Sequence, residues 1–211
     1  SRADERRILS AIATRQPQDI DAGGALWDRQ SAQALIAQQT GAPMPLRTTG
    51  EYLKRWGITA SKPTASQRGQ ASDNALGAWM KNNYPAIKAR CRDANADIVW
   101  CDCGRPIEFP GQATRMSAHG SASKPLSLTL LAAVTVHGKM YFRLVDRQQG
   151  SPQAVAEFVH DLHNDLDMNL HLIFRRLPDT DSPSAVRHLA AAGPVTGVTI
   201  MPPDVVTADV V

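Results

Sequence analysis

Ala96-Asp97-Ile98-Val99-Trp100-Cys101-Asp102 is the stretch from which the fold is read. Its β-branched and aromatic residues predict a strand that closes on a carboxylate. Downstream, Leu126 to Val136 predicts a second strand, closed by a His137-Gly138 turn, and Met140 to Val145 its hairpin partner. Ser151-Pro152 opens a helix, with proline at a first-turn position, that buries Val155, Phe158, Val159 and Leu162. A strand at Leu170 to Phe174 runs straight into Arg175-Arg176; a helix at Ser184 to Ala192 and a strand at Val195 to Met201 follow. Strands alternating with helices in this order predict a mixed sheet covered by helices. Gly104 to Pro125, rich in Gly, Pro and Ser, predicts an irregular segment.

Upstream of the Asp102 strand, a helix is predicted from Asp73 to about Ala94, with Leu76, Trp79, Met80, Tyr84 and Ile87 on its apolar side and Pro85 near a local break. Residues 61–73 are polar, contain proline and lack large apolar groups, which describes a linker. Three short helices precede it. Ala3 to Thr14 is amphipathic; Asp28 caps a second helix that stops at Gly41; and Leu46 to Trp56 follows the Ala42-Pro43-Met44-Pro45 turn and ends at Gly57. This is the pattern of a helix-turn-helix. Leu46, Thr49, Leu53 and Trp56 are expected on the inner face of the third helix, leaving Arg47, Thr48, Glu51, Lys54 and Arg55 outward. A helix seated in the major groove reads bases from its first turns and grips phosphates with flanking cations, so Arg47 and Thr48 are the candidate base readers and Lys54 and Arg55 the candidate phosphate contacts. Glu51 counts against that reading.

The chain has 211 residues, 43% hydrophobic and 20% charged, enough for one substantial core and a smaller module. Its formal charge is +3 and its pI about 8.9. Lys and Arg outnumber Asp and Glu by 14 to 8 in residues 1–95 and fall short, 9 to 12, beyond them, so the first half is the half suited to phosphate. Cys91, Cys101 and Cys103 are too few for a disulfide framework and fit a reducing compartment. Cys101-Asp102-Cys103 lacks the further ligands that a closed zinc site needs, and buried strand residues are the expected role of these thiols. All six histidines lie beyond residue 118 without ligand spacing. No run reaches the roughly 18 apolar residues of a membrane span, and the start lacks a signal-peptide core, so cytosol or nucleoid is expected. Both ends read as cut from something longer.

Leu46-Arg47-Thr48-Thr49-Gly50-Glu51-Tyr52-Leu53-Lys54-Arg55-Trp56-Gly57, Ile98 to Asp102, Leu130 to Gly138 and Met201-Pro202-Pro203-Asp204 together resemble the bacterial insertion-sequence transposases of the mariner superfamily. The resemblance implies an α/β protein: an all-α (winged) helix-turn-helix DNA-binding domain over 1–60, a linker over 61–73 and a ribonuclease-H-like mixed α/β domain over 74–211, truncated before its end. It also implies a catalytic triad of acids holding two magnesium ions. Asp102 matches the first acid, but Cys103 stands where a Glu usually follows, Arg175 occupies the second acid's place and Arg176 the usual Asn, and the chain stops before the third acid. A two-metal site needs several carboxylates around its cations, and arginine repels them. The expectation is therefore a DNA-binding protein derived from a transposase, with an inactive catalytic domain as scaffold, dimerisation or interaction module, in the manner of a transcriptional regulator. It has no cofactor, its ancestral Mg2+ site being lost, and it does not act at membranes. Duplex DNA is the expected partner, with a homodimer or a further protein partner compatible. Asp102 is expected to form an ion pair with Arg175 or Arg176. The alternatives are an active magnesium-dependent transposase or nuclease that relocates its acids to Asp179, Asp181, Asp204 or Asp209, and a protein-binding module that has lost DNA affinity.

Overall fold

A computed structural model of the chain describes residues 1–62, 75–108, 127–146, 152–176, 189, 195–202 and 208–210. Helix α1 (Arg2–Thr14) starts at a reciprocal cap between Ser1 and Asp4. Helix α2 (Arg29–Thr40) starts at one between Asp28 and Ser31 and ends at Gly41, whose φ of +70° suits a residue without Cβ. Helix α3 (Leu46–Arg55) gives way to Gly57 at φ +76°. The single helix expected over 73–94 is two, α4 (Ala75–Asn82) and α5 (Tyr84–Asp93). Pro85 has no N–H to donate and is accommodated in the first turn of a new helix, which forces the break.

Five strands form the main sheet in the order β4-β3-β2-β5-β6: β2 (Ala96–Glu108), β3 (Ser127–Thr135), β4 (Met140–Asp146), β5 (Asn169–Arg176) and β6 (Val195–Ile200). β3 runs antiparallel to both neighbours, whereas β2, β5 and β6 are parallel. Helix α6 (Pro152–Leu166) links β4 to β5. The expected ribonuclease-H-like mixed sheet is thus present. Strand β1 (Ala60–Lys62), just after α3, pairs antiparallel with β7 (Ala208–Val210). Leu189 is buried, while the rest of the helix expected over 184–192 lies outside the described residues.

Alternation along the strands gives the sheet two unlike faces. Val99, Cys101 and Cys103 join Leu131, Ala133, Leu172 and Phe174 beneath Val155, Phe158, Val159 and Leu162 of α6. On the other face, Ile98, Trp100 and Ile173 pack under α4 and α5 through Leu76, Trp79, Met80, Tyr84 and Ile87. Beside them, Leu128, Leu130, Ala132, Val134 and Phe142 pack under α1 to α3 through Ile8, Ile12, Leu35, Ile36 and Leu53. The N-terminal helices therefore share a core with the sheet, a closer association than the separate module over 1–60 read from sequence. Each large side chain buried there contributes about 1.5–3 kcal/mol, more than a short polar connection supplies. The linker expected over 61–73 lies almost wholly outside the described residues.

Polar contacts reinforce the joint. Trp27 and Phe142 exchange backbone hydrogen bonds of 3.0 and 2.7 Å, laying the segment before α2 against the edge of β4. Asp165 of α6 accepts from the N–H groups of Ala25 (2.9 Å) and Leu26 (2.8 Å). A Cβ on Gly24 would come within 2.1 Å of that carboxylate, so the approach requires glycine.

Candidate nucleic-acid interface and acid site

Thr49, Gly50 and Leu53 form the buried stripe of α3, with Trp56 buried at its end. Leu46 is not part of it. Expected on the inner face, it is 37% exposed, because the inner stripe starts a turn later. Gly50 permits close packing of α2, whose Arg29 Nε would lie 3.3 Å from a Cβ there. Arg47, Glu51, Lys54 and Arg55 are exposed and Thr48 is half-buried, which is the outward set expected. The four candidate contacts are not equivalent. Arg47 and Lys54 form no ion pair among the described residues, whereas Arg55 is paired with Glu5 of α1 and its guanidinium lies 4.2 Å from the centre of the Tyr52 ring. The other Glu5 oxygen accepts from the Trp56 indole at 3.4 Å. Glu5 thus ties α1 to the end of α3, a contact between residues 50 positions apart for which the sequence carries no local signal.

Behind α3, Arg105 donates to the backbone oxygens of Gly57, at 2.9 Å, and Thr59, and to the Thr59 hydroxyl. Strict alternation from Asp102 would point residue 105 at the α6 face. A bulge at Gly104, with φ +87°, shifts the pairing with β3 so that Arg105 lies opposite Leu130 on the α1–α5 face. The bulge also corrects an expectation. Asp102 does not close its strand, because pairing resumes beyond Gly104 and β2 continues to Glu108.

Asp102 lies opposite Ala132, on the α1–α5 face, and is fully buried. A second bulge, between Cys101 and Asp102 in the pairing with β5, places Arg176 opposite Asp102 and leaves Arg175 as the extra residue. Nη1 of Arg175, whose side chain is 32% exposed, lies 3.6 Å from Oδ2 of Asp102. The expected ion pair is therefore formed by Arg175. Cys101 and Cys103 point the other way, beneath α6, so the three side chains of Cys-Asp-Cys cannot converge on one ion. Burial pushes both thiols well above their ordinary range, with the Asp102 charge adding to it, as befits inert core residues. Among the described residues no three His, Cys, Asp or Glu side chains are grouped as metal ligands. Asp179, Asp181 and Asp204 lie outside the described residues; Asp209 lies on β7.

His171 is buried further back on β5, opposite Ile98 of β2, with its Nε2 3.0 Å from the Thr199 hydroxyl. Burial holds its imidazole below the usual range, and the charge of Arg90 acts in the same direction. Gly197 makes room for the ring, since a Cβ there would lie 2.6 Å from Cε1.

A family model described as "Winged helix-turn helix" matches residues 23–83, from the segment that joins β4 through α2 and α3 into α4. No curated protein matches the chain. Among solved structures, the Mos1 strand transfer complex is similar at 10% identity and a TM-score of 0.33, over 82% of this chain and 72% of that one. A pre-cleavage Mos1 transpososome is similar at 13% identity and a TM-score of 0.33, over 81% of this chain and 54% of that one. The mariner Mos1 paired-end complex with Mg is similar at 9% identity and a TM-score of 0.29, over 95% and 77%. Likeness at this level carries no functional argument.

Proposed function

We propose that the chain is a transposase-derived protein that binds duplex DNA through α3 and no longer performs metal-dependent strand transfer. The observation that carries the first half is the winged helix-turn-helix match over 23–83, coupled to an α3 whose inner stripe is buried while Arg47 and Lys54 stand exposed and outside ion pairs among the described residues. Arg47 and Thr48, in the first turn, take the bases; Lys54, two turns on, takes phosphate. Arg55, held by Glu5 and Tyr52, serves chiefly to fix the end of the helix.

The second half rests on the Asp102–Arg175 pair. The reading is supported by Asp102, whose buried carboxylate faces a guanidinium at 3.6 Å where a magnesium ion would need an open ligand. A cation placed about 4 Å from that guanidinium meets repulsion of about 4 kcal/mol per unit charge at the effective dielectric of a protein surface. In this reading the sheet acts as scaffold, and a role in transcriptional regulation is one use of such a body. No helix among the described residues is long and apolar enough to cross a membrane, and the nucleoid is the proposed site of action.

The test is fluorescence anisotropy of the purified chain against duplexes recovered by genomic binding-site mapping, with a nicking and strand-transfer assay in magnesium or manganese alongside. The reading predicts salt-dependent duplex binding and no cleavage. Absence of duplex binding at low salt favours a protein-binding module. Cleavage abolished in Asp102→Ala would identify an active enzyme.

A further inference from the structure

The α4–α5 pair straddles the end of the winged helix-turn-helix match, with α5 wholly beyond it. Apart from its buried stripe, it carries Lys81, Lys88, Arg90 and Arg92 against one acid, Asp93, and all five side chains are exposed. None of the four cations is in an ion pair among the described residues, unlike Arg7 and Arg55 on α1 and α3. An ordinary solvated helix intersperses both signs, as α1 does with Asp4 and Glu5 among its arginines.

The placement of these cations is specific. Tyr84, Ile87 and Cys91 face the sheet, so Lys88 and Arg92, four residues apart, share one flank of α5, and Arg90 lies on the opposite flank. Arg90 is the residue whose charge reaches His171 on β5. The sheet order is β4-β3-β2-β5-β6, with α5 over β2 and β5 and with α1 to α3 over β3 and β4. The Arg90 flank therefore looks toward β5, whose Asn169 also donates to Ala94 at the end of α5, and the Lys88–Arg92 flank looks toward the helices that carry α3.

Resting on the reading of α3 as the recognition helix, we propose that the Lys88–Arg92 flank of α5 is a second phosphate-binding surface, which grips the backbone of the same DNA duplex beyond the segment read by α3. Two cations one helical turn apart offer point contacts to a phosphate backbone without reading sequence. Their contribution is therefore to affinity, footprint and salt dependence rather than to base choice.

The test uses the full chain carrying Lys88→Gln with Arg92→Gln, a pair of exposed positions whose replacement leaves the buried stripe intact, checked by an unchanged thermal midpoint. Duplex anisotropy is followed across about 50 to 200 mM salt, where each lost phosphate contact lowers the slope of log K against log salt by about 0.9. The expected result is a slope shallower by nearly two, a shorter footprint and unchanged discrimination between cognate and scrambled duplexes. Arg90→Gln, on the far flank, is expected to leave the slope in place. An unchanged slope in the double variant overturns the proposal. So does an equal loss from Arg90→Gln, which reduces the effect to net charge, or a larger loss on an RNA duplex than on DNA. Failure of the unaltered chain to bind any duplex overturns the underlying reading of α3 instead, so the two failures are distinguishable.

Discussion

Among the described residues, the helices that cover the two faces of the sheet are opposites in charge. The face under α1 to α5 is covered by helices carrying eleven Lys and Arg, three each on α1, α3 and α5 and one each on α2 and α4, against four Asp and Glu. On the other face, α6 carries Glu157, Asp161 and Asp165 and neither Lys nor Arg. The apolar packing beneath the two is of the same kind, so packing does not explain the difference. On the proposed reading a polyanion is drawn to the α1–α5 side rather than to the α6 side, an asymmetry that would orient a duplex before any base is read. The acids of α6 also have local work. Asp161 pairs with Arg143, and Asp165 holds the Ala25–Leu26 backbone.

The largest effect that could break this picture concerns whether the basic face is one body. Trp27 is 1% exposed, its indole donates to the Arg15 carbonyl at 3.0 Å, and it packs in the core shared by helices and sheet. Trp27→Ala is expected to cost about 3–5 kcal/mol in denaturant unfolding, and the chain should lose α1 to α3 and the sheet in a single transition. Two separate transitions, with the helices melting first, would restore independent modules. Next in size, Arg175→Ala removes the cation beside a fully buried carboxylate and is expected to cost about 3 kcal/mol. Asp102→Asn in the same chain should recover part of that, and the double-mutant cycle measures their coupling.

A smaller effect comes from His171. Its pKa is lower in the folded chain than the ordinary 6.5, so below that value the unfolded chain binds more protons. Stability contributed by the neutral ring is complete above about pH 6.5 and falls as pH drops toward the folded pKa. His171→Gln should flatten this part of a pH titration of unfolding. The smallest effects concern the DNA contact. Lys54→Ala is expected to lower the salt slope of duplex binding by about one. Arg55→Ala is expected to leave it nearly unchanged until Glu5→Gln frees that guanidinium, and a full unit lost from Arg55→Ala alone would show that Glu5 does not hold it.

Local signals made much of this legible in sequence. Asp28, Gly41 and Gly57 mark helix ends by residue chemistry alone, and Val155, Phe158, Val159 and Leu162 disclose the buried stripe of α6 by spacing. The Asp102–Arg175 pairing was expected from the resemblance and from the two strands that carry those residues. Contacts made across long separations were not legible. Glu5 on Arg55, Asp165 on Ala25 and Arg105 on Thr59 depend on packing, and nothing next to Glu5 or Asp165 announces it. Gly104 did carry a signal, since glycine inside a strand often marks a bulge, yet only the observed register shows that it redirects Arg105. The shared core was hidden for a different reason. An amphipathic helix declares that it has a buried side but not what buries it.

The central claim, that duplex DNA docks on the α1–α5 face through α3, is tested most directly by amide hydrogen exchange with and without a bound duplex. The first turns of α3 and α6 offer a matched pair, because helix N-termini leave their leading N–H groups outside the helical ladder, where they exchange readily. Those at Arg47 and Thr48 should slow when duplex is added, while that at Gln153 keeps its rate. Slowing at Gln153 with none at Arg47 and Thr48 would contradict the account and place the DNA on the acidic side of the sheet.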